Sequence, residues 1–445
     1  MLNTVMQFAD IENPFIKFLY SCGKADILEH VPSHARKSMY GMCPQLEDHW
    51  RPLGELYKGI NTYYIISLDG SGSKELYEIW EQHRYTCTPL IPEYMQNDDA
   101  VIIFDNSAEG HCDDYMFKFI SQVVMHYNLD STKTYYCNSS ANITDIQSKT
   151  AYTNFITFTS DNYLEDTMID LHEDMQPLLE QVLFKDGDNI IDIDINLSKQ
   201  FLFSCLNNAP KPYRALLLGA IAESGLDGFC SSPRVPFDQL YGKTISYLSQ
   251  ELTNRKITKA EFKIGMGWLD RLENTYPMIL DNPSEDSIHM KELSSDDDFI
   301  QKLFDCDISV VSESIVDNNL FVSEKIYKPI IMCQPFIVLG PSKVYNYINE
   351  LGYKTFDYII DNKQMDVDSS IINRIKQIID ALNTLQSTKM DPIAWKTLND
   401  RIAIDVVYNY NIFNERLHGL HTAGHYNLEG FFKYRPGLKL PLYRN

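Results

Sequence analysis

Residues 323–340 constrain the fold more than any other stretch of the chain. Ser323-Glu324-Lys325-Ile326-Tyr327-Lys328-Pro329 gathers a carboxylate, two ammonium groups and a proline. Ile330-Ile331-Met332-Cys333-Gln334-Pro335-Phe336-Ile337-Val338-Leu339 follows as a largely apolar run, and Gly340 ends it. The pattern predicts a helix that opens on Glu324 and Lys325, then a buried strand. Backbone N–H groups and a lysine at a helix start favour an anion such as phosphate. Glu324 is an acceptor suited to sugar hydroxyls. Carboxylate beside ammonium therefore suits a ligand in which a ribose adjoins a diphosphate. The same composition also describes a solvated helix face, because charged pairs are common at helix starts.

The remainder of the chain alternates strands and helices. Residues 63–68, 100–105, 134–137 and 154–158 read as strands, and 114–126 as a helix. Further on, 201–206, 308–311 and 336–339 read as strands, and 214–224, 325–332, 343–351 and 371–385 as helices. Residues 233–298 read as a variable acidic insertion. Such alternation predicts an α/β fold with mostly parallel sheets and helices on both faces. Residues 1–195 form the expected first domain, 196–390 the second, and 391–445 a tail that opens helical and ends rich in Tyr and Phe. Ligands of such sheets bind at the carboxyl ends of strands. Three features fall there: the basic turn Lys211-Pro212-Tyr213-Arg214, the pair Ser312-Glu313, and Gly340.

Composition narrows the partners. At 445 residues the chain has room for two or three domains. A formal charge of -22 argues against a nucleic-acid backbone as partner, while leaving room for a local basic pocket. The nine cysteines include no Cys-x-x-Cys pair, and Cys205, Cys306 and Cys333 sit in apolar strings. Reduced, buried thiols in a cytoplasmic protein are expected. The first residues carry Asp10, Glu12 and Pro14 and lack a signal-peptide pattern. No run approaches the length of a membrane span.

Two segments carry a family likeness. Ser312-Glu313-Ser314, followed by Asn318-Asn319-Leu320-Phe321-Val322 and then Ser323-Glu324-Lys325, resembles the donor-binding motif of the α-1,3-fucosyltransferase group. There a Glu-Asn-Ser-like element precedes a Thr-Glu-Lys-like one. Phe201 through Arg214 is similar to the strand and basic turn of fucosyltransferase-like glycosyltransferases, including many from phages and large viruses. Their turn often reads Arg-Pro-His-Arg. Here Lys211 takes the first basic place and Tyr213 stands where the histidine would be. The resemblance spans about 195–360, and more loosely 60–150. It implies a GT-B-like architecture, two doubly wound Rossmann-like domains facing across a cleft. It also implies transfer of a sugar from a nucleoside-diphosphate donor, GDP-fucose-like or related, to a glycan or other hydroxyl acceptor. Transfer would invert the anomeric centre and need neither metal nor cofactor.

The implied chemistry assigns roles. The departing nucleoside diphosphate needs its charge met by fixed cations or by a metal. Lys325 and Arg214 are the candidate cations, one a point charge and the other a planar fork, with Lys211 as a third. Glu324 would hold the ribose hydroxyls. Glu313 would contact the transferred sugar or position its loop. The acceptor hydroxyl needs a general base. Fucosyltransferases carry one in a Glu-Ser-Pro-like element after a strand of the first domain, and Glu109 is the matching carboxylate, with Asp105 second.

Asp186 with Asp188, and Asp192 with Asp194, have the Asp-x-Asp spacing of metal-dependent glycosyltransferases. Among 61 acidic residues such pairs arise by chance, and the second pair lies on an Ile/Asp alternation typical of a half-exposed strand. No His/Cys cluster has zinc spacing, and no Gly-x-Ser-x-Gly or Walker-type loop occurs. Two alternatives stand beside glycosyl transfer. One is a catalytically inactive GT-B-fold binding or structural protein. The other is a glycosyltransferase acting on modified DNA bases, which the acidic balance opposes.

Overall fold

The structure, a computed structural model, describes residues 26–27, 62–67, 74, 77–78, 81, 100–106, 110–126, 128–159, 199–207, 209–233, 235–276, 302–317 and 319–422. Glu109, both Asp-x-Asp pairs and the end of the acidic insertion lie outside the described residues. The chain divides into two compact units, 1–167 with 417–445, and 168–416. Both carry parallel strands and helices, so the fold is mixed α/β.

The first unit holds a five-stranded sheet of β1 (Asp26–Ile27), β2 (Thr62–Ser67), β3 (Ala100–Asn106), β4 (Thr134–Asn138) and β5 (Ile156–Thr159), in that spatial order. β1 runs antiparallel to β2, and the other pairs are parallel. α1 (Asp114–His126) joins β3 to β4 and buries Met116, Phe117, Ile120, Val123 and Val124, an apolar stripe at helical spacing. Asp113 starts it by accepting the backbone N–H groups of Tyr115 and Met116. α2 (Ile143–Ser148) precedes β5. The described strands of this sheet advance in one direction. The apolar strand pattern records burial on both faces, and burial does not specify which strand lies next to which.

The second unit holds four parallel strands, β6 (Phe201–Cys205), β7 (Gly228–Cys230), β8 (Cys306–Ser312) and β9 (Phe336–Leu339), in the spatial order β7-β6-β8-β9. The order reverses here. The chain steps outward from β6 to β7 through α3 (Pro212–Ser224), then outward the other way from β8 to β9 through α6 (Glu324–Ile331). Right-handed crossovers in opposite directions send α3 and α6 to opposite faces. A crevice opens between the carboxyl ends of β6 and β8, the switch point where such sheets take ligands.

Between β7 and β8, where the sequence suggested only an acidic insertion, lie α4 (Phe237–Thr253) and α5 (Lys259–Glu273). Thr258 and Glu261 form a reciprocal capping box at the start of α5. α3 is buried from Tyr213 to Ile221, because α4, α5 and α9 (Ile371–Lys389) cover the sides that the sheet does not. Pro212 in its first turn and Gly225 in the left-handed conformation at its end fix its length. α7 (Val344–Glu350) and α8 (Asn362–Val367) follow β9, and Asp366 accepts the N–H groups of Tyr345 and Asn346. Residues 392–416 of α10 (Pro392–Thr422) pack onto this unit. Asn409 pairs with the backbone of Lys354 in both directions, and Phe413 meets Tyr327.

The six described cysteines are free, and burial pushes the thiols of Cys205, Cys306 and Cys333 up to about 12, which leaves them unreactive. No described helix is long and apolar enough to cross a membrane.

α3 and α5 meet at Gly219, where an added Cβ would collide with the backbone carbonyl of Trp268. Backbone cannot swing away as a side chain can. Gly219→Ala is therefore expected to lower stability by about 1–3 kcal/mol, read as a shifted urea midpoint at unchanged slope. An unshifted midpoint would rule out this close approach.

Candidate functional site

A cavity of about 300 Å³ opens at the switch point of the second sheet. Lys211 and Arg214 reach it from α3, Ser312 and Ser314 from the end of β8, and Glu324, Lys325 and Lys328 from α6. Val311, Pro329 and Met332 give it an apolar side. The cations at 214 and 325, distant in sequence, thus line one cavity.

The basic turn after β6 organises the loop after β8. Pro212 sets the first turn of α3 and sends the next two side chains inward. The Tyr213 hydroxyl donates toward the carbonyls of Glu313 and Ser314, at 2.9 and 2.7 Å. Arg214 Nη2 donates to the carbonyls of Ser312 and Glu313, at 3.0 and 3.1 Å. Three consecutive carbonyls are thereby held by two consecutive side chains. Arg214 is 3% exposed, and its Nε is buried without a partner. The Ser312 hydroxyl is buried and unpaired as well.

Glu313 is fully buried and ties the same loop from the other side. Its Oε1 accepts the Ser323 N–H at 3.1 Å, and its Oε2 accepts the Ser323 hydroxyl at 2.6 Å and the Ser314 N–H at 3.1 Å. Burial raises its pKa, against the opposing pull of Lys325 and of the Ser323 hydrogen bonds. It does not line the cavity. Of the two roles expected for Glu313, the geometry gives it the positioning of the loop.

Ser323 caps α6, its oxygen facing the Lys325 N–H. Lys325 Nζ lies 2.7 Å from Glu324 Oε1, 3.1 Å from Ser314 Oγ and 3.3 Å from Ser323 Oγ. Burial acts to raise the Glu324 pKa, but the ammonium groups of Lys325 and Lys328 outweigh it and bring the carboxyl down to about 2. Lys328, half-buried on the next turn, makes no hydrogen bond to any described residue. Burial lowers its pKa, and Glu324 opposes that shift. Lys211 is exposed at the rim.

In a chain of net charge -22, this cavity gathers Lys211, Arg214, Lys325 and Lys328 around the single carboxylate of Glu324. Its potential is positive, and it suits an anion with several acceptor oxygens. Lys328 escapes a reading based on adjacent residues. Its signal is spacing, since positions three and four apart on a helix share a face with Lys325 and Glu324. Among the described residues, no three His, Cys, Asp or Glu side chains gather as a metal cage. Glu109 lies outside the described residues, and Asp105 is described only as part of β3. Comparison with family models, curated proteins and solved structures returns no significant match.

Glu324 gives the site a pH signature. Its folded-state pKa of about 2 lies below the ordinary 4.5. Its contribution to stability is therefore present above 4.5 and lost as pH falls through about 2. The melting-temperature gap between wild type and Glu324→Gln is expected to hold steady above about pH 5 and to close toward pH 2. A gap independent of pH would contradict the strong pairing of Glu324.

Proposed function

We propose that the chain is a glycosyltransferase of the GT-B kind, binding a nucleoside-diphosphate sugar in its second unit and passing the sugar to a hydroxyl acceptor. One observation carries this reading. Arg214, Lys325 and Lys328 converge beside Glu324 on one cavity at a topological switch point, in a chain that is otherwise strongly acidic. A diphosphate answers the positive potential. Ionised Glu324 is an acceptor for ribose hydroxyls. Val311, Pro329 and Met332 offer apolar contact to a ring face.

In the proposed reaction the acceptor oxygen attacks the anomeric carbon as the bond to the diphosphate breaks. The acceptor proton passes to a general base, for which Glu109 is the candidate that the family resemblance puts forward. The charge that develops on the leaving diphosphate is met by fixed cations, whose orientation costs little because their loop is already ordered. Losing one such donor commonly slows turnover by around two to three orders of magnitude.

A binding protein of the same fold without turnover is the second reading. It is favoured by the commitment of Arg214 Nη2 to backbone carbonyls, since a cation so engaged holds a shape.

A thermal-shift panel of nucleoside diphosphates and their sugars, run in EDTA, tests the proposal. One base series is expected to raise the melting temperature, since a ligand at a hundred times its Kd stabilises by about 2.7 kcal/mol. The stabilising sugar nucleotide, incubated with hydroxyl acceptors, is expected to release its diphosphate. Binding without release under any acceptor would favour the second reading, and no stabilisation by any nucleotide would sink both.

A further inference from the structure

We infer that Lys328 is the cation that contacts the phosphate oxygens of the ligand, and that Lys325 is a positioning residue that closes the loop around it. The inference rests on the anion-binding reading above and comes from counting donors. An ammonium group has three N–H donors. Lys325 has three acceptors within reach, Glu324 Oε1, Ser314 Oγ and Ser323 Oγ. No donor remains for a ligand. Two of those acceptors belong to the loop and the helix cap, so Lys325 joins the end of β8 to the start of α6.

Lys328 is in the opposite state. It lines the same cavity, half-buried, with all three donors unused among the described residues. Glu324, its nearest opposite charge, is bonded to Lys325. A partly desolvated ammonium without a hydrogen-bond acceptor is costly. Arg214 and Ser312 line the cavity as well, and each carries a buried group without a partner, Arg214 Nε and Ser312 Oγ. A half-buried ammonium with three unused donors, on the face of a basic cavity, is complemented by a group rich in acceptor oxygens. Phosphate is such a group, and Lys328 is the member with the most donors to offer.

Calorimetric titration with inorganic pyrophosphate and with the panel of nucleoside diphosphates tests the inference. It compares wild type, Lys328→Met, Lys328→Arg and Lys325→Met. Lys328→Met is expected to weaken pyrophosphate binding about tenfold to a hundredfold, the usual worth of a charged hydrogen bond, while leaving the unliganded melting temperature unchanged or higher. Lys328→Arg is expected to restore binding to within a few-fold. Lys325→Met is expected to lower the unliganded melting temperature, the mark of a residue that closes the loop. If Lys325→Met does not fold, the two Lys328 variants decide the matter. Wild-type affinity in Lys328→Met would overturn the inference and leave the nucleotide reading standing. Pyrophosphate binding that needs Lys328, with no nucleoside diphosphate bound, would support the inference and remove the nucleotide reading. A wild type that binds no phosphate compound would overturn both.

Discussion

A carboxylate shut away from water must have its lone pairs answered at short range or be driven neutral. Glu313 is that group in the second unit, and the site is built around its burial. Its oxygens take the Ser323 N–H, the Ser323 hydroxyl and the Ser314 N–H, which fixes both ends of the segment between β8 and α6. With its N–H groups turned toward Glu313, the loop's carbonyls point elsewhere, and Tyr213 and Arg214 receive them. The turn after β6 and the loop after β8 thus become one hydrogen-bonded block. Removing one partner from such a network leaves several buried polar groups unpaired, so its members stand or fall together.

A block of this kind separates two tasks that a list of basic residues merges. Arg214 and Lys325 supply charge, yet their bonded donors hold the loop. Lys328 supplies charge and makes no hydrogen bond to any described residue. A preorganised site gains from this division, because cations already fixed in place need not reorganise when an anion arrives. The acidic surround sharpens it. A chain of net charge -22 repels anions over most of its surface, so the positive potential is focused where the switch point opens.

What the sequence made legible follows from how local each signal is. α1 and β9 were readable to the residue, because an apolar stripe at helical spacing and a four-residue apolar run before a glycine are complete within their own segments. α4 and α5 were missed because the whole segment was read by the acidic residues of its later part, although Leu240, Thr244 and Leu248 keep helical spacing and Thr258 with Glu261 announces the second start. Strand order was out of reach, since periodicity reports which faces are buried and says nothing about neighbours. Within the site, the convergence of residues 214 and 325 could be expected from strand ends alone. The roles of Glu313 and Lys328 could not. Both depend on which donors and acceptors are already used, and that is a property of the folded loop.

Tyr213 shows how the accounting bears on chemistry. The fucosyltransferase-like turns that this one resembles often carry a histidine at this place, a residue that changes charge near neutral pH. Here a phenol occupies it. Burial raises its pKa above the ordinary 10, against an opposing pull from Arg214 and with a further push from Glu313. It therefore stays protonated and keeps donating toward two carbonyls. A group held in one protonation state cannot relay protons in the working range, so Tyr213 is a tie between two loops. In the proposed transfer, the second unit then contributes fixed charge through its lysines and Arg214, and an ionised acceptor in Glu324.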